Sequence, residues 1–141
     1  YNTFPEFALD FTYENGVVMH VTNQGENGVQ FEGEEGWIFV SRSRIGASDQ
    51  KLIDAPLPYN AEQLYVSNHH AGNFIDCMRS RKQPICDAEI GHRSVSISHL
   101  ANICLSLGGE KLEWDPKAER FKNSDEANKR MSRPQRKPWR V

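Results

Sequence analysis

HHAGNFIDCMRSRKQPICDAEIGHRSVSISHLANICLSLGG, residues 69–109, is the stretch on which the reading of this chain turns. Ala71, Phe74, Ile75 and Met78 fall at i, i+3, i+4 and i+7, while Asn73, Asp76, Arg79 and Ser80 take the other side. That spacing predicts an amphipathic helix with one dry face. Gln83-Pro84 is expected to stop it, because proline drives the preceding residue out of the helical region. Asp87 is the expected N-cap of a second helix, with Glu89 complementing the dipole in its first turn and Gly108-Gly109 closing it. Between residues 95 and 107 that helix is apolar or small nearly all round, so burial on more than one side is predicted.

Upstream, Phe7, Leu9, Phe11 and Tyr13 alternate with Ala8, Asp10, Thr12 and Glu14, the period of a strand with an apolar face. Asn15-Gly16 is a strong hairpin signal leading into a second strand, residues 17–22. A two-residue loop pairs Tyr13 with Val18 and Thr12 with Met19. This puts Met19 and Val21 opposite the aromatics and leaves both faces partly apolar; a bulge at the turn shifts that register. An apolar second face implies contact with another subunit or domain. Residues 29–32 and 37–40 read as further strands joined by Gly33-Glu34-Glu35-Gly36, and 41–66 as irregular with a short strand near 51–53. These glycines lack the G-x-G-x-x-G spacing and lie between strands, so they form no dinucleotide fingerprint.

Downstream, residues 111–114 and 119–122 read as paired strands about an Asp115-Pro116 turn, and Asn123 with Glu126 as a capping-box start to a short helix reaching about Met131. The tail has two prolines that favour extended backbone, with Trp139 as an expected apolar anchor. The sum is an α+β fold: an open, mostly antiparallel sheet with helices on one face and the other face available for subunit contact. The 141 residues are expected to form a single domain. The start at Tyr1, with no initiator methionine, points to a piece of a longer protein.

Net charge is −2, yet residues 1–68 hold 10 acidic and 3 basic side chains (−7), and residues 69–141 hold 9 acidic and 14 basic (+5). Complementarity between layers accounts for this asymmetry better than a nucleic-acid surface does, since no nucleic-acid motif accompanies it. No apolar run approaches a membrane span, so no membrane partner is expected. Cys77, Cys86 and Cys104 form no C-x-x-C and fit buried free thiols. Among the histidines, Glu89-x-x-His92 has the spacing of a di-iron helix motif but lacks the second pair that chemistry needs, so no metal is expected. His70 and His92 are candidates for hydrogen bonding to a substrate, weighed against the commoner roles of helix cap or satisfied core contact.

Several segments together resemble a known family. They are G-V-Q-F-E-G-x-x-G-W-I (28–38), H-x-x-N-F-x-D-C-x-R-S-R-K-x-P (70–84), A-E-I-G-H-R-S (88–94), L-x-W-D-P (112–116), D-E-A-N (125–128) and S-R-P-x-R-x-P-W (132–139). The chain resembles the bacterial-type C-terminal domain of the Gfo/Idh/MocA oxidoreductases, the glucose-fructose oxidoreductase and inositol dehydrogenase family. The resemblance implies a parent with its own N-terminal Rossmann domain binding NAD or NADP, a sugar or polyol substrate, homo-oligomers formed through the open sheet face, and a soluble cytoplasmic or periplasmic setting in bacteria. A parent that uses NAD for glycoside hydrolysis or epimerisation, and a stand-alone binding or assembly module, are the alternatives. The family's lysine segment and its D-x-x-x-H pair are not in this sequence, so no catalytic residue is carried over and the chain alone is expected to be inactive. His70, Asn73, His92 and Arg93 match motif positions and are the candidate substrate-binding residues.

Overall fold

The computed structural model describes residues 3–138; Trp139, the expected anchor, lies outside them. The fold is α+β, with open antiparallel sheets and several helices. The chain divides into two compact units, Pro5–Val66 and a second from Ser67 onward that also takes in residues 3–4.

In the first unit β1 (Ala8–Thr12) pairs antiparallel with β2 (Val18–Thr22), and Phe11 lies opposite Met19, Leu9 opposite Val21. This is one residue away from the register expected of a two-residue loop. The cause is local. Gly16 N donates to Tyr13 O and Tyr13 N to Val17 O, both at 2.9 Å, and Gly16 sits at φ 88°, so a turn over residues 13–16 is followed by a glycine bulge. Asn15 Oδ1 accepts from Val17 N at 3.1 Å and steadies it. Because side chains alternate, the shift moves Met19 and Val21 onto the face of Leu9 and Phe11, where all four are half-buried. The other face is mostly polar, with His20 Nδ1 and Asp10 Oδ1 2.6 Å apart. The hairpin therefore does not have the two apolar faces expected of it.

The three-stranded sheet orders β3 (Val29–Gly33), β4 (Gly36–Val40) and β5 (Ile45–Ala47). Its register places Val29, Phe31, Ile38, Val40 and Ile45 on one face, and Gln30, Glu32, Trp37 and Phe39 on the other. Phe39 is buried beneath the Arg44 guanidinium, which lies 4.7 Å from the ring centroid and hydrogen-bonds Glu26. That bond holds the Glu26 carboxyl below its ordinary value and raises the Arg44 guanidinium. A Cβ at Gly28 would lie 2.3 Å from the Phe39 ring and 2.7 Å from Val40 O, so only glycine fits this crossing. The strand expected near 51–53 is instead the single helical turn α1 (Lys51–Asp54), started by Asp49 Oδ1 accepting from Lys51 N at 2.9 Å.

In the second unit α2 (His70–Ser80) and α3 (Ala88–Ser106) are the two predicted helices. Asp87 caps α3 as expected, Oδ1 accepting from Ile90 N at 2.8 Å. α2 ends before Gln83-Pro84, where Arg81 takes a left-handed φ of 60°. Neither helix is as buried as its pattern suggests: Cys77 is the buried residue of α2 and Ile103 that of α3, while Phe74, Ile75, Met78, Ile90 and Val95 remain exposed. Amphipathicity marks a face that gains from cover; it does not say that the same chain supplies the cover. Of the cysteines expected to be buried, Cys77 is buried, Cys104 half-buried and Cys86 exposed, because Cys86 falls in the connection rather than in a helix.

The core of this unit forms where a hairpin folds back onto the C-terminal half of α3. β6 (Trp114–Asp115) and β7 (Arg120–Phe121) bring Phe121 against Ile103 and against Ala127 of α4 (Asp125–Lys129), with Leu100, Leu107, Leu112 and Trp114 packed around them. Trp114 and Phe121 meet edge to face at 5.2 Å. The cap of α4 is Ser124, whose hydroxyl accepts from Ala127 N at 3.1 Å, not Asn123. Asn123 is used elsewhere: Oδ1 accepts from Glu113 N and Nδ2 donates to Lys111 O, both at 2.9 Å.

Candidate functional site

Between α3, the β6–β7 loop and the segment after α4 lies a cleft of about 490 Å³, into which His92, His99, Trp114, Glu119, Arg130 and Arg133 converge. α3 supplies the two histidines from the same side, since residues seven apart lie two turns along one helix face. The loop supplies Glu119. Asp115 Oδ1 accepts from Lys117 N at 2.9 Å and Ala118 N at 3.0 Å, folding residues 116–119 back toward the helix. The bonds from Ala118 and Lys117, in that order, hold the Asp115 carboxyl below its ordinary value, with Lys122 adding to them.

Glu119 takes φ 49°, the left-handed region, where a glutamate is uncommon. From there its Oε1 lies 2.8 Å from His92 Nε2; with a carboxylate as acceptor, the ring nitrogen donates. Arg93, the next residue of α3, hydrogen-bonds both Glu89 Oε1 (Nε, 2.7 Å) and the carbonyl of Pro116 (Nη1, 3.0 Å). His92 and Arg93 thus hold opposite ends of one four-residue loop. Asn128 fixes the hairpin's far strand as an extra strand would: Oδ1 accepts from Phe121 N at 2.8 Å and Nδ2 donates to Phe121 O at 2.9 Å.

Of the four candidate residues, His92 lines the cleft, and Arg93 braces its loop without lining it. Asn73 Oδ1 accepts from Ile85 N at 3.0 Å, tying α2 to the approach to α3. His70 is the exposed first residue of α2; the cap is its neighbour His69, whose Nδ1 accepts from Gly72 N at 2.8 Å. Sequence reasoning misses Glu119 and Asn128, and it weighs Arg130 and Arg133 only as part of the basic C-terminal half, against a nucleic-acid surface, not as lining of this cleft. The available signals were the D-P turn at 115–116, which aims the loop at α3, and the D-E-A-N run, whose Asn128 lies seven residues past Phe121. Burial, then the Glu110 carboxylate, push the Cys104 thiol above its ordinary value, which disfavours the thiolate.

Among the described residues no group of three or more His, Cys, Asp or Glu is arranged to hold a metal ion, and no helix is long and apolar enough to cross a membrane. Gly25 and Gly28 lie between β2 and β3, and Gly33 and Gly36 flank Glu34 and Glu35 at the β3–β4 turn; with no helix N-terminus behind them, they do not fit a pyrophosphate cradle. No curated protein and no solved structure matches the chain. Residues 5–141 match the oxidoreductase family's C-terminal alpha/beta domain of the Gfo/Idh/MocA type, a match that runs across both units. The chain therefore belongs to the Gfo/Idh/MocA oxidoreductase family, as its C-terminal domain.

Proposed function

We propose that this chain supplies subunit contact and substrate enclosure to an NAD(P)-dependent oxidoreductase acting on a sugar or polyol, beside a Rossmann domain that binds the nicotinamide cofactor. The observation that carries the contact role is the open face of β3–β4–β5. Val29, Phe31, Val40 and Ile45 share that face, and each is between 40% and 63% exposed. Leaving these side chains in water forfeits much of the ~1.5–3 kcal/mol that burying each one yields, so the face gains from a partner.

The enclosure role rests on the cleft. His92 is the primary substrate contact; Arg93 and Asn73 hold its surroundings in place, and His70 offers a further polar group at the start of α2. Hydride transfer is the cofactor's chemistry. No acid or base is assigned to this chain, so it does not turn over alone. The check is an absorbance assay for nicotinamide reduction with the isolated chain, NAD or NADP, and a panel of aldoses and polyols. No turnover is expected. Turnover by the isolated chain overturns the reading.

A further inference from the structure

Arg130 and Arg133 line the cleft together with one carboxylate, Glu119, which is hydrogen-bonded to His92. Arg130 is braced by Glu126 Oε1 (Nη2, 3.4 Å) and by Ser106 Oγ (Nη1, 3.4 Å), whereas Arg133 has no ion-pair partner among the described residues. The apolar side chains of Leu100, Ile103, Trp114 and Met131 also line it. With these apolar and polar groups around a volume of about 490 Å³, the cleft has the size of a small-molecule site. Arg133, with no ion-pair partner among the described residues, offers a guanidinium fork that matches a carboxylate or phosphate.

We propose that this cleft binds a monosaccharide-sized ligand bearing one anionic group, carboxylate or phosphate, with Arg133 as the anion contact and the ring lying against Trp114. The sugar-sized ring rests on the enclosure reading above; the anion does not.

The test is isothermal titration of the full 141-residue chain with glucose 6-phosphate, with glucuronate, and with glucose as the neutral control, at low ionic strength. Saturable binding of one or both anions, with glucose at least tenfold weaker, is expected, and the preferred anion tells phosphate from carboxylate. Arg133→Gln should weaken the anion by roughly tenfold with an unchanged circular dichroism spectrum, because one charged hydrogen bond is lost. Arg133→Lys should restore part of that. Equal binding of all three ligands, unaffected by Arg133→Gln, overturns the anion and leaves the enclosure reading standing. No binding of any of the three overturns both at this cleft.

Discussion

Phe11 and Met19 stand directly opposite each other across β1 and β2, on the face that also carries Leu9 and Val21. That one relationship reassigns the hairpin. Its apolar side chains gather on a single half-buried face, and the open apolar surface of the unit is that of β3–β4–β5 instead.

Met19→Asp therefore damages the fold rather than an interface. It places a charge among Leu9, Phe11 and Val21, and should lower stability by roughly 1–3 kcal/mol in urea titrations. Val18→Asp, on the polar face, should stay within about 0.5 kcal/mol. Equal effects of the two substitutions contradict the register.

Gly28→Ala tests the crossing of β3 over Phe39. The added methyl meets both the ring and the carbonyl of Val40, and backbone does not swing aside as a long side chain does. A loss of about 1–3 kcal/mol is expected. A neutral result means that Phe39 repacks freely.

Asn128→Ala removes both side-chain bonds to the Phe121 backbone, beside the buried Ala127. Leaving those groups without protein partners should cost roughly 2–3 kcal/mol. Asn128→Asp keeps the acceptor for Phe121 N but faces the Phe121 carbonyl with a carboxylate, so it should fail to rescue. Amide exchange at Phe121, followed by NMR, reports the effect directly.

Much of the helical reading was local chemistry and so was legible. Asp87 caps, and α3 closes just before Gly108-Gly109, because caps depend on neighbouring residues alone. The hairpin register was not legible in the same way, since Asn15-Gly16 serves a two-residue loop and a bulged turn equally well; Tyr13 decides between them by bonding Val17. β5 is three residues long and exists because β4 offers it an edge, while Lys51–Asp54 coils because Asp49 starts it. The cleft was half legible. His92 could be singled out by type and place, but Glu119, Arg130 and Arg133 reach it only once the hairpin and α4 have folded onto α3.

The Asp115 turn gives a pH dependence. Its carboxyl is held below the ordinary value in the fold, so its stabilisation is fully present above the unfolded value near ~3.9 and is lost as pH falls through the folded one. Asp115→Ala should be less stable than the parent chain at neutral pH. The gap should narrow below about pH 4 as the parent loses its advantage. Urea midpoints measured across that range check it; a gap that widens toward acid contradicts the sign.

The most direct test of the account is the solution mass of the chain by light scattering, with and without Phe31→Glu. Phe31, on the edge strand β3, is 63% exposed on the open sheet face, so a glutamate there leaves the fold intact and spoils only a contact. A multiple of the single-chain mass that falls to one chain in Phe31→Glu, with an unchanged circular dichroism spectrum, is the predicted result. A folded single chain in both, at concentrations up to about 100 μM, far above a Kd of about 1 μM or roughly −8 kcal/mol, contradicts the assignment of that face to subunit contact.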